Sequence, residues 1–258
     1  MSFPFVQPYF GLGNSLQTAQ ASAAGGGVGG WVELGRTTLG SASGTIDVSS
    51  LPDKRYYMIL ESRLAQSTAN NDYLRMGNST IDTGSNYAYR YSTNGGGDGT
   101  GVNGSLIAHG FFADATPKFM VNHLSNISSK EKLLIAHAVD QSTAGAATAP
   151  LRNQTVGKWT NTSNPVDIWQ TRSDNGIKTY ASGSEVVVLG WDPDDTHTTN
   201  FWEELAEITI GSAASSMTSS TFTAKKYLWV QGYIKPDGTD SITPTLQLGS
   251  TTIDTGNN

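Results

Sequence analysis

The chain repeats itself in register. Trp31-Val32-Glu33-Leu34 returns as Trp202-Glu203-Glu204-Leu205, 171 residues later. At the same spacing Leu39-Gly40-Ser41-Ala42 returns as Ile210-Gly211-Ser212-Ala213, and Lys54-Arg55-Tyr56 as Lys225-Lys226-Tyr227. One residue is then inserted, and Gly77-Asn78-Ser79-Thr80-Ile81-Asp82-Thr83-Gly84 returns as Gly249-Ser250-Thr251-Thr252-Ile253-Asp254-Thr255-Gly256. Matches that keep both order and spacing mean two copies of one structural unit.

The unit reads as β. In Arg55–Leu64, Tyr56, Met58, Leu60 and Leu64 fall on one face, and Arg55, Glu61 and Arg63 on the other. This period of two predicts a half-buried strand. Further strands are predicted at Tyr73–Met76, Tyr87–Tyr91, Ser105–Phe112, Lys118–Leu124, Lys132–Val139, Thr155–Trp159, Val166–Thr171 and Glu185–Leu189. Turn formers such as Asn94-Gly95-Gly96-Gly97-Asp98-Gly99 and Ser173-Asp174-Asn175-Gly176 bound them. Only 15% of residues are charged against 37% hydrophobic, too few Glu and Lys for long surface helices. The expected fold is all-β: an antiparallel β-sandwich, with a jelly roll as the expected topology, in tandem with the start of a second copy.

Four segments follow. Residues 1–30 carry Phe3, Phe5, Tyr9 and Phe10 among Pro4 and Pro8, then a weak helical stretch and the flexible run Gly25-Gly26-Gly27-Val28-Gly29-Gly30. Phe3, Phe5, Tyr9 and Phe10 are read as partner-docking residues of an N-terminal arm. Residues 31–190 are the β-sandwich module, residues 191–200 a linker, and residues 201–258 the start of a second, incomplete copy. That copy reaches Asn258, the counterpart of Asn86. A third of a sandwich does not close a core, so the sequence is expected to be a fragment of a longer protein; the alternative is that its sheets are completed by something else.

Several function classes lack support. Net charge is −6 and no basic run stands out, which argues against nucleic acid. There is no Cys, so disulfides and thiolate metal sites are excluded. No apolar run approaches the ~20 residues of a membrane span, and Met1-Ser2-Phe3-Pro4-Phe5 does not open a signal peptide. The expected site of synthesis is a cytoplasm. His109, His123 and His137 have no recognised zinc spacing, and Asp192, Asp194, Asp195 and His197, with Pro193 among them, lack EF-hand order. Gly95–Gly101 lacks the Gly-Lys-Ser/Thr ending of a phosphate loop and reads as a hairpin tip. No Gly-x-Ser-x-Gly elbow appears. No enzyme, cofactor or metal is expected.

The module, with Trp-x-Glu-Leu, Leu-Gly-Ser-Ala, Lys-Arg-Tyr and then Asp82-Thr83-Gly84-Ser85-Asn86-Tyr87-Ala88-Tyr89-Arg90-Tyr91, resembles one found in poorly characterised virion proteins of tailed bacteriophages. Asn126–Leu133, Ala144–Pro150, Val156–Trp159 and Ser182–Gly190 fit the same resemblance, which covers most of residues 31–258. It implies a non-enzymatic structural role as capsid decoration, head fibre or tail-associated protein, assembled in the host cytoplasm. The implied partners are capsid or tail proteins of the same particle and further copies of the chain, a trimer among the options. The alternative is a receptor- or carbohydrate-binding adhesin, with Trp159, Trp169 and Trp229 as a sugar-stacking platform for a host surface glycan. A hydrolase acting on surface glycans is a third reading without a motif behind it.

Overall fold

The computed structural model describes residues 30–64, 71–108, 116–174, 178–195, 200–235, 238, 243–250 and 252–253. Phe3, Phe5, Tyr9, Phe10, His109 and His197 lie outside them. The chain divides into two units, Met1–Phe201 and Trp202–Asn258.

The first unit is built of antiparallel strands, with no α-helix among its described residues. In chain order they are β1 (Val32–Thr38), β2 (Thr45–Val48), β3 (Tyr56–Arg63), β4 (Asp72–Asn78), β5 (Thr80–Ile81), β6 (Tyr87–Thr93) and β7 (Gly99–Gly104). There follow β8 (Ile107–Ala108), β9 (Lys118–Ser125), β10 (Lys132–Asp140), β11 (Leu151–Trp159), β12 (Ile168–Ser173) and β13 (Glu185–Trp191). They make an eight-stranded sheet, β1-β13-β3-β9-β10-β11-β6-β7, and a five-stranded one, β2-β12-β4-β5 with β8 beside β4. The two form a β-sandwich, the expected fold class.

The pairing is nested. β13 lies between β1 and β3, and β12 lies between β2 and β4. The early strands therefore alternate between the sheets, and each takes its partner from the last part of the module. Inward side chains of both sheets meet in one core. Tyr57, Ile59, Leu134, Val186 and Val188 of the large sheet pack with Ile46, Leu74, Met76 and Trp169 of the small one. Polar atoms inside are tied to backbone: Tyr57 Oη donates to Val166 O at 2.8 Å, and Tyr87 Oη donates to Met76 O at 2.7 Å. The Lys132 ammonium, over the Trp159 ring, donates to the carbonyls of Ser128, Lys130 and Asn161 at 2.8–3.1 Å.

Two expectations need correction. The period of two in β3 is real, but Glu61 and Arg63 point into the sandwich while Met58 and Leu60 point outward; all four are buried. The inward charges are accommodated by one another. Arg63 lies 3.3 Å from Glu61 and 2.8 Å from Asp72, and Lys118 lies 3.0 Å from Asp72 and 3.6 Å from Asp140. Asn122 donates to Glu61 at 2.9 Å, and Tyr180 Oη donates to Asp72 at 3.0 Å. Loss of hydration is the main force on Glu61 and holds its carboxyl above the ordinary value, with Arg63 opposing.

The second correction concerns Gly95–Gly101, read as a hairpin tip. The tip is narrower. Asn94 and Gly95 both have positive φ (53° and 74°) and Gly96 N donates to Thr93 O at 2.9 Å, a type I′ turn. Gly99–Gly104 is a strand. Its glycines are needed because the Tyr91 and Tyr89 rings lie over Gly99 and Gly101, their cross-strand partners, where any Cβ would overlap them. The rings supply the packing that the glycines lack.

Gly101→Val should lower stability by about 1–3 kcal/mol in chemical denaturation. With Tyr89→Ala already present it should cost less, because the ring it strikes is gone. Arg63→Met leaves Glu61 and Asp72 buried beside a neutral side chain and should cost about 3–5 kcal/mol by the same measurement.

Candidate interaction face

β10 is apolar on both sides. Its inward residues Leu134, Ala136 and Ala138 enter the interior, and its outward residues are Leu133, Ile135, His137 and Val139. Strand register extends this outward set. Ile135 pairs with His123 of β9 and Val156 of β11, and Val139 pairs with Phe119 of β9. Phe119, Leu133, Ile135, Val139 and Val156 are 39–57% exposed. A sheet facing water on one side normally alternates apolar in and polar out. Here that rule fails along β10, with Phe119 of β9 and Val156 of β11 beside it, while Arg152, Gln154 and Lys158 of β11 keep to it. An exposed apolar cluster of this kind is a candidate interaction site.

Two ion pairs flank the patch on its β11 and β6 side. Lys158 meets Glu131 at 2.8 Å and Arg90 meets Asp98 at 3.1 Å, all four well exposed. An apolar centre with a polar rim is the usual anatomy of an interface. Within the centre, loss of hydration lowers the His123 imidazole below its ordinary value, and the nearby His137 pushes the same way. The outward face of the small sheet is different in kind. It carries Tyr73, Arg75, Asp47, Gln170 and Arg172. Burial lifts the Asp47 carboxyl although Gln170 donates to it. Burial, then the neighbouring Arg172, lowers Arg75.

The other sequence-predicted residues do not gather into a site. Trp159 and Trp169 are 2% and 0% exposed and belong to the core, so neither presents a ring face to a sugar; this corrects their assignment to a stacking platform. The Trp159 indole N–H donates to Asp82 at 2.7 Å, at the edge of a polar hollow that both residues line. Trp229, in the second unit, is 39% exposed and meets Trp202 edge-on at 5.4 Å. Asp192 and Asp195 close a turn against the module: Asp195 pairs with Lys54 and accepts from Asp192 N at 2.7 Å, and Asp192 accepts from Arg55 N at 3.2 Å. Among the described residues no three His, Asp or Glu side chains are placed to hold a metal ion.

Two described hollows lie on the first unit, one lined by Asn94, Val139, Pro150, Leu151 and Arg152 and one polar. The polar one beside β5 is lined by Asn78, Thr80, Asp82, Asn161 and Asn164. Its acid, Asp82, is occupied. Burial alone would raise that carboxyl, but hydrogen bonds from Trp159, Gly84 and Asn86 bring it below its ordinary value. The densest ionisable group, around Arg63, is sealed inside the sandwich.

Fold and face together define an all-β sandwich with one apolar outer surface. Compared with known proteins, the chain matches no family model, no curated protein and no solved structure.

In an NMR titration His123 should protonate below pH ~6.5, the ordinary histidine value. In His137→Gln its midpoint should rise only part of the way back, because burial is the larger cause. A midpoint at or above the ordinary value would mean that the ring is well hydrated.

Proposed function

We propose that the chain is a non-enzymatic structural component of a virus particle, an exposed capsid decoration, head-fibre or tail-associated protein. The observation that carries this reading is the apolar outward face of β9, β10 and β11. A β-sandwich free in solution gains nothing from Phe119, Leu133, Ile135 and Val156 on its surface, whereas a subunit packed in an assembly buries them. The resemblance of the repeated module to tailed-phage virion proteins supports the same reading. So does the nested strand order, which fits a jelly roll, a double-sheet architecture used in viral capsid domains. The aromatic arm, Phe3, Phe5, Tyr9 and Phe10, is the proposed anchor to a capsid or tail protein, and copies of the chain associate through the sheet face. The glycan-binding alternative is weakened, since two of its three tryptophans are core residues.

Ile135→Asp with Val156→Asp tests this. Both side chains point outward, so circular dichroism should stay that of the parent. Self-association by light scattering and incorporation into particles should fall at least tenfold, since charge in a desolvated interface costs several kcal/mol. Unchanged association would remove this face from the proposal. Deletion of residues 1–24 should leave a folded module that no longer joins the particle.

A further inference from the structure

The second unit has the residues of the module's first strands without their partners. In the first unit, β1 pairs with β13, β2 with β12, β3 with β13 and β9, and β4 with β12 and β8. Among the first five strands the one pairing that needs nothing later in the chain is β4 with β5, through Gly77↔Ile81 and Asn78↔Thr80. Among the described residues of 202–253 there is no strand, and the one bridge is Gly249↔Ile253. Those two residues are the repeat counterparts of Gly77 and Ile81. The local geometry agrees as well: a Cβ on Gly77 would overlap Thr80 O, and a Cβ on Gly249 would overlap Thr252 O. What is local in the module is present twice; what is long-range is present once.

The side chains carry the same message. Ile46, Ile59, Leu74 and Met76 are core residues, 0–1% exposed. At the repeat spacing they correspond to Met217, Val230, Leu246 and Leu248, which are 41–69% exposed. These four inward positions are apolar in both copies, whereas Val48, another core residue, corresponds to Ser219. The charged pair of β3 has not been kept: Glu61 and Arg63 correspond to Gly232 and Ile234.

We infer that residues 202–253 are the opening strands of a second sandwich, and that the partner they take is a polypeptide segment bearing strands of the β8–β13 kind. The occupied module of another copy is a poor source. Its own residues 31–86 hold the same places and are tethered there, with the advantage in effective concentration that a tether gives. The partner is therefore an unoccupied set of such strands.

The test uses the whole chain with a second copy of residues 87–191 joined after Asn258, in the register that the repeat sets. A control chain carries residues 31–86 in place of 202–258 before the same addition, which shows how a competent pair behaves. Hydrogen exchange is read on residues 203–253. Slowing on the order of a hundredfold relative to the unextended chain, with a second cooperative melting transition, is the expected result. If the control forms two modules and residues 203–253 still exchange as in the unextended chain, the inference is wrong. Particle assembly is not part of the readout, so the outcome is independent of the virion proposal.

Discussion

The structure depends on pairing between the two ends of the module. β12 and β13 are each inserted between two early strands, so β1 joins the large sheet and β2 joins the small one only once the last part of the module has arrived. Loop closure has to precede these end-to-end pairings, which makes this part of the fold slow to form. It also explains the contrast between the two units. Residues 203–253 repeat the opening of the module, yet intrinsic strand propensity and apolar patterning do not make them a sheet. In the first unit the same kind of sequence is ordered by strands that pair with it and by a second layer that covers it.

The interior adds a second constraint at one end of the sandwich. Glu61 and Arg63 of β3, Asp72 of β4, Lys118 of β9 and Asp140 of β10 are held together with almost no exposure. A buried network of this kind is weak grounds for stability, since an apolar set of equal volume often does as well. Its effect is on register. A one-residue slip of β3 would turn Glu61 and Arg63 outward and take Arg63 away from Asp72, which penalises wrong pairings more than it stabilises the right one. The apolar residues of β10 offer no such discrimination, because a slipped β10 would still present Leu133, Ile135 and Val139 to the core.

Much of this was legible in the sequence, and the failures have physical causes. The strands at Tyr87–Tyr91, Lys118–Leu124, Lys132–Val139 and Glu185–Leu189 were expected and lie within β6, β9, β10 and β13. Strand β7 was not, since Gly99-Thr100-Gly101 has no strand propensity of its own and is ordered by tyrosines of the neighbouring strand. The faces of β3 were read the wrong way round because periodicity shows that two faces differ, not which of them is covered. Burial of Trp159 and Trp169 could not be read from residue type, as tryptophan serves cores and ligand sites alike. The apolar outer face did leave a signal. Leu133-Leu134-Ile135 is contiguous rather than alternating, the mark of a strand covered on both sides.

That contiguity separates the two outer surfaces. The small sheet shows water Asp47, Arg75, Gln170 and Arg172, whose hydration would be lost in any close contact. The large sheet shows Phe119, Leu133, Ile135 and Val156, whose contact with water is unfavourable. The two outer faces therefore differ in what they offer a partner, apolar side chains on the large sheet and polar ones on the small sheet. The sheet edges are β1 and β7 in the large sheet and β2 and β5 in the small one; β5 is two residues long, whereas β1 spans seven.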